Sequence, residues 1–172
     1  MNKNLDEVLV REIRSARELY ERYGKLLLAD AEVSTLLDAY RERIDVTNGS
    51  MRDGGVYAAC TECAEVNPAG CCFVGIEEGY DRVLLLVNLL MGRELPDARE
   101  VPGSCFFVGP RGCKLAARFY FCVHYLCDGL LKLLGPSGTK RLNGAVAQEL
   151  AAGWDVEQAI RRKLKEISAC GS

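Results

Sequence analysis

Nine cysteines stand among the 172 residues, eight of them between Cys60 and Cys127 and one, Cys170, near the end. Thiolate sulfur is a soft ligand that suits zinc, iron and iron–sulfur clusters. Cys60 and Cys63 are separated by two residues, the spacing at which a turn brings two sulfurs onto one ion, at ~2.3 Å for zinc. Cys71 and Cys72 are adjacent, so in regular structure their side chains diverge: one binds while the other packs, or each serves a different site. Cys105, Cys113, Cys122 and Cys127 follow at wider intervals. On an ideal helix Cys122 and Cys127 would lie about 140° apart, so both reach one metal only where the helix is distorted or begins late.

Four thiolates complete a tetrahedral zinc shell or hold a four-iron cluster. Eight therefore serve one site with spares or two sites, and one principal site is the expectation. The irregular spacing leans towards iron–sulfur, since zinc folds usually present two close pairs. A disulfide framework would suit a secreted chain, but the opening Met-Asn-Lys-Asn-Leu-Asp-Glu is charged and amphipathic, unlike the apolar core of a secretory signal. The expected location is the cytoplasm, whose reducing conditions disfavour lasting disulfides. Buried cysteine also packs as a small hydrophobe, a reading that fits scattered cysteines better than a dense group. His124, the single histidine, reads as a helix residue and is left out of the site. Gly135-Pro136-Ser137-Gly138-Thr139-Lys140 lacks the Gly-Lys-Ser/Thr order of a phosphate loop and reads as a helix-terminating linker. Glu77-Glu78 and Arg161-Arg162-Lys163 read as solvated helix faces.

The elements that must position the sulfurs are helical. Leu5, Leu9, Ile13, Ala16, Tyr20, Tyr23 and Leu27 recur at helical spacing after an Asn4 cap. Asp30 starts a second helix with the stripe Val33, Leu36, Leu37, Tyr40 and Ile44, ending at Thr47-Asn48-Gly49. Residues 1–46 are thus a helical hairpin. Residues 50–75 show no periodicity, with a turn at Asn67-Pro68-Ala69-Gly70, and residues 77–93 form a buried central helix around the run Val83–Val87. Residues 95–112 read as an irregular loop, and residues 115–134 as one helix stopped by Gly135-Pro136. Asn143 to Ala152 forms another helix, and Asp155 caps a last one with Ile160, Leu164 and Ile167 on one face.

The fold class expected is mainly α, a helical domain wrapped around an irregular cysteine-rich metal-binding segment. The whole chain, 1–172, reads as a single domain: hairpin 1–46, cysteine-cluster segment 50–130 and C-terminal helices 136–170. A hydrophobic content of 49% supports a core, and a formal net charge of −2 gives no electrostatic pull towards nucleic acid or an anionic membrane. Neither partner is expected, and no apolar run is long enough to span a bilayer.

Residues 60–127 resemble the YkgJ-like zinc- or iron-chelating domain family, which carries a cysteine pair, a double cysteine and a downstream block of four cysteines. The family's Cys-x-Phe-Leu followed by Gly-Cys looks like Cys105-Phe106-Phe107-Val108 with Gly112-Cys113, and Cys122 and Cys127 match the closing pair. Seven residues separate Cys63 from Cys71, more than in the common family form. The resemblance implies Cys60, Cys63, Cys71, Cys72, Cys105, Cys113, Cys122 and Cys127 as metal ligands, holding zinc or iron, the latter as a [4Fe-4S] cluster. A related domain is part of bacterial flagellin lysine methylases. The alternatives are a redox or protein-modifying enzyme using an iron–sulfur cluster, and a helical module with structural cysteines whose hairpin meets a protein partner.

Overall fold

The computed structural model describes residues 3–66 and 70–170. Of the turn expected at Asn67-Pro68-Ala69-Gly70, residues 67–69 lie outside the described residues. The chain is mainly helical, as expected, with little strand. Helix α1 (Lys3–Ala29) is already running at Lys3, so Asn4 lies inside it and is not its cap. Its buried Leu9, Ile13, Ala16 and Leu27 join the core that also takes in α4 (Arg82–Leu90), a short helix buried at Val83 through Asn88 and at Leu90.

Asp30 caps α2 (Ala31–Asp53) as expected, accepting from the Glu32 and Val33 amides at 3.1 Å each. Two orphan donors of the first turn are thereby satisfied. The helix overruns the expected stop at Thr47-Asn48-Gly49 and ends at Asp53. The buried stripe Val33, Leu37, Tyr40, Ile44, Thr47 and Met51 continues at three- and four-residue steps through that point, and burial outweighs the ~1 kcal/mol helix penalty of one glycine. The aperiodic reading of residues 50–75 is also overturned, because Val56–Val66 is a helix, α3. It has no proline or glycine, and Val56, Ala59 and Cys60 form its packed face.

The single helix expected over 77–93 is split. A 3-10 turn (Ile76–Gly79) is followed by extended Tyr80, and Asp81 then caps α4 by accepting from the Val83 and Leu84 amides. Beyond α4 the chain is irregular, with a small antiparallel ribbon of β1 (Val108–Gly109) and β2 (Gly112–Cys113).

The helix expected over 115–134 does not form as one piece. Fully buried Asn88 takes the backbone of the 116–117 segment: its Nδ2 donates to the Leu84 and Ala117 carbonyls, and its Oδ1 accepts from the Ala116 and Ala117 amides at 2.9 and 3.0 Å. Tyr80 adds a fourth tie to this stretch, its hydroxyl accepting from the Phe119 amide at 2.9 Å. These side chains satisfy backbone groups that a helix would otherwise pair. Helix α5 (Tyr120–His124) follows, residues 125–127 are non-helical, and α6 (Asp128–Cys170) begins.

Helix α6 breaks once, at Gly135 (φ 59°, ψ 179°), and Pro136 opens the second arm where its missing N–H costs nothing. That arm runs unbroken to Cys170, so the separate helices expected at 143–152 and after Asp155 are one. It packs along α2, where Gly153 lies against Tyr40; a Cβ there would stand 3.0 Å from the tyrosine oxygen. The Arg161-Arg162-Lys163 run ties elements together: Arg161 pairs with Asp81 at 2.7 Å, Arg162 with Glu32 at 2.6 Å and Lys163 with Asp30 at 3.0 Å. Among the described residues no helix is long and apolar enough to cross a membrane.

Between α2 and α6, Glu149 and Thr47 are fully buried; they lie side by side, yet neither meets hydrogen-bond geometry with any partner. Desolvation raises the Glu149 carboxyl, opposed by Thr47 and by the positive charge of Arg118. The folded state holds this proton more tightly than the unfolded chain. Its contribution to stability is therefore complete below about pH 4.5, the ordinary value, and is lost as pH rises through the raised value. Glu149→Gln should flatten that decline and add about 1–2 kcal/mol at neutral pH, measured by urea denaturation across pH 4 to 8; an unchanged pH profile would refute the assignment. Asn88→Ala should cost about 2–4 kcal/mol in the same assay, because it strands buried amides at 116 and 117.

Candidate metal centre

The sulfurs arrive from four stretches of chain. Cys60 and Cys63 sit three residues apart on α3, hence on one face. Cys71 and Cys72 occupy a bend before the bridge Phe73↔Ser104, and the Cys72 carbonyl accepts from the Cys105 amide at 2.7 Å. Cys105 is buried; its carbonyl accepts from the Val108 amide, and Val108 pairs with Cys113 across the ribbon. Cys122 lies on α5 and Cys127 in the non-helical link before α6. The break at 125–127 means that Cys122 and Cys127 do not share one helix.

All eight are free thiols; Cys60 and Cys122 are half-buried, and Cys63, Cys71, Cys72, Cys113 and Cys127 are exposed. Among the described residues, no three cysteine, histidine, aspartate or glutamate side chains already converge as a shell able to hold a metal ion. The thiols are nonetheless close enough to act on one another. Cys60 is raised by desolvation and then by negative charge on Cys71, Cys127 and Cys63. Desolvation likewise raises Cys122 and pushes Cys105 up to about 12, each being raised further by Cys113. Cys113 is exposed as a residue, yet desolvation of its thiol raises it too. Cys71 and Cys72 share a hydrogen bond, which draws Cys71 down to about 6 and drives Cys72 up.

Polar groups beside these sulfurs favour their charged forms: the Phe107 and Leu115 backbones lower Cys105 and Cys113, and the Tyr80 hydroxyl, which accepts from the Phe119 amide, lowers Cys122. Arg118 favours the thiolates of Cys113 and Cys122 by its positive charge. Such support of the charged form offsets part of the burial cost.

A buried ion pair holds the loops in place. Glu77 is fully buried, contrary to its reading as a solvated helix face. It accepts from the Gly75 amide at 2.8 Å and pairs at 2.6 Å with Arg99, which also reaches Asp6 at 2.8 Å and the Ser104 carbonyl. The guanidinium lies over the Phe106 ring, 5.7 Å from its centroid. The stretches carrying Cys72 and Cys105 are clamped through this one arginine.

Sequence reasoning singled out neither Tyr80, Asn88 nor Arg99. For Asn88 a signal existed, since one amide inside the run Val83–Met91 must be buried and so must find partners. His124 is exposed at the end of α5. Comparison of the chain with family models, curated proteins and solved structures gives no match.

In the reduced, metal-free chain at pH 7, Cys71 should be mostly thiolate and Cys105 about one part in 10⁵. Iodoacetamide should therefore label Cys71 first and leave Cys105 unmodified while the chain stays folded, as read by peptide mass spectrometry. Equal labelling of the two would contradict the arrangement.

Proposed function

We propose that this chain is a metal-binding protein of the cytoplasm that holds zinc or iron, the latter as an iron–sulfur cluster, through thiolates drawn from Cys60, Cys63, Cys71, Cys72, Cys105, Cys113, Cys122 and Cys127. The observation that carries the reading is a set of eight free thiols on four stretches of chain, of which the Cys72, Cys105 and Cys113 stretches are tied together through the main chain at the Cys72 carbonyl and the Val108–Cys113 pair. Desolvation and mutual repulsion make the group costly as bare thiolates. A bound cation removes that cost and draws the sulfurs into coordination distance, so binding energy becomes folding energy, on the order of 10 kcal/mol for a structural zinc. The resemblance of residues 60–127 to the zinc- or iron-chelating family points to the same sulfurs.

A redox or protein-modifying activity that uses an iron–sulfur cluster is the second reading. Exposure of five of the eight cysteines favours it, because a cluster there would lie within reach of a protein partner.

Protein purified without air should carry zinc or iron, and brown thiolate-to-iron charge-transfer absorbance would select the cluster. Removing the metal with a chelator should lower the thermal midpoint by about 10 °C or more, since a domain of this size moves about 2–4 °C per kcal/mol. Protein free of both metals, with an unchanged midpoint on chelator treatment, would overturn the reading.

A further inference from the structure

We propose that Glu149 and Thr47 form a proton-operated latch between α2 and α6, closed while the Glu149 carboxyl is neutral and released when it ionises, so that the smaller of two hydrophobic cores loosens ahead of the larger. The latch stands apart from the metal-binding reading.

The buried side chains of the α2–α6 seam divide into two groups. Tyr40 and Ile44 of α2 join Val156, Ala159 and Ile160 of α6 in the core built around α4. Met51 of α2 joins Leu142 and Val146 of α6 in a second core with Val56, Val123 and Leu130. Thr47 stands between Ile44 and Met51 on the α2 stripe, and Glu149 stands between Val146 and Val156 on α6. A polar layer therefore falls where the two cores meet.

Within that layer both carboxyl oxygens of Glu149 and the hydroxyl of Thr47 are shut off from solvent, and no hydrogen-bond partner reaches them. A carboxyl so placed is disfavoured as a charge, so the closed seam keeps it protonated. The neutral acid has one O–H to donate, and the neighbouring Thr47 oxygen can accept it after a small closing movement of the two helices. Ionisation puts a charge in the layer that one hydroxyl donor cannot satisfy, and water must enter the seam to solvate it. Thr47 and Tyr40 face the carboxyl from α2 and Arg118 from the stretch before α5, while Glu157, further along α6, also bears on Tyr40. From α3, Ala59 and Cys60 reach the second core. Arg118 favours the ionised form, but its guanidinium is held on the Asn48 side-chain oxygen at 3.2 Å, and burial outweighs it.

The two sides of the layer are unequal. Among the described residues the first core holds twenty-six buried hydrophobic side chains and the second six. The close approach of Gly153 to Tyr40 and the ion pairs of Arg161, Arg162 and Lys163 also lie on the first side. At the layer itself α2 and α6 are joined by the exposed Arg43–Gln148 hydrogen bond. Local opening follows the region with less buried apolar contact, so the second core gives way first. Helix α3 and Leu126 rest on that core, and both move with it.

The test is amide hydrogen exchange of the full chain at pH 5 and pH 8, read by peptide mass spectrometry, with each rate divided by that of the same amide in an unstructured peptide. Amides of 47–66 and 139–150 should open about tenfold more at pH 8, while those of 83–90 change by less than about twofold. Glu149→Gln, which keeps a neutral group in the layer, should abolish the difference; thiol ionisation acts alike in both chains, so the comparison isolates Glu149. A response shared equally by both regions, no response, or the same response in Glu149→Gln would overturn the latch. Should Glu149→Gln fail to fold, Thr47→Val decides: it removes the oxygen that takes the proton and should raise exchange of 47–66 and 139–150 at pH 5 towards the pH 8 level, whereas unchanged exchange at pH 5 would refute the proposal.

Discussion

Asn88 is a polar side chain held entirely inside a hydrophobic core, and its two donor and two acceptor bonds run to the backbone on either side of it. A buried amide is tolerated only when so satisfied. The bonds keep residues 116–117 out of helical conformation, which in turn sets where α5 begins and how Cys113 and Cys122 stand about α4. With Tyr80 fixing Phe119 from the adjacent strand of chain, a central helix of nine residues determines the course of the irregular segment beside it. The hydrophobic run of α4 provides the seat, and its single amide provides the direction.

The cysteine-bearing loops have little regular structure to hold them, so polar contacts with low sequence separation cannot suffice. The Glu77–Arg99 pair answers that need by joining α1, the turn before α4 and the Ser104 region in one network. A buried pair of this kind is costly to desolvate and costly to break; its role is to specify one arrangement among many for a segment rich in glycine.

How much could be read beforehand follows from which interactions are local. The Asp30 cap, the α1 and α2 stripes and the burial of Val83–Leu90 are near-neighbour patterns, and the chain obeys them. Residues 115–134 look helical by composition, but what decides them is Asn88, nearly thirty positions away, which no periodicity announces. Residues 56–66 were hidden by the glycines and cysteines around them, although cysteine packs there as a small apolar residue. The density of the cysteines is plain in the sequence, but their placement on α3, the 71–72 bend, the ribbon and α5 follows the course of the irregular segment, which no periodicity announces.

The contact of Gly153 with Tyr40 carries a last implication. A slide of the long helix by one turn in either direction would bring Glu149 or Glu157 under the tyrosine ring, where neither backbone approach nor charge would be accommodated. The glycine therefore acts as a detent that fixes the axial position of a rod continuing to the break at Gly135. Beyond that break the shorter arm leads back to Asp128, so the axial position set at Gly153 bears on where the non-helical link from α5 must end.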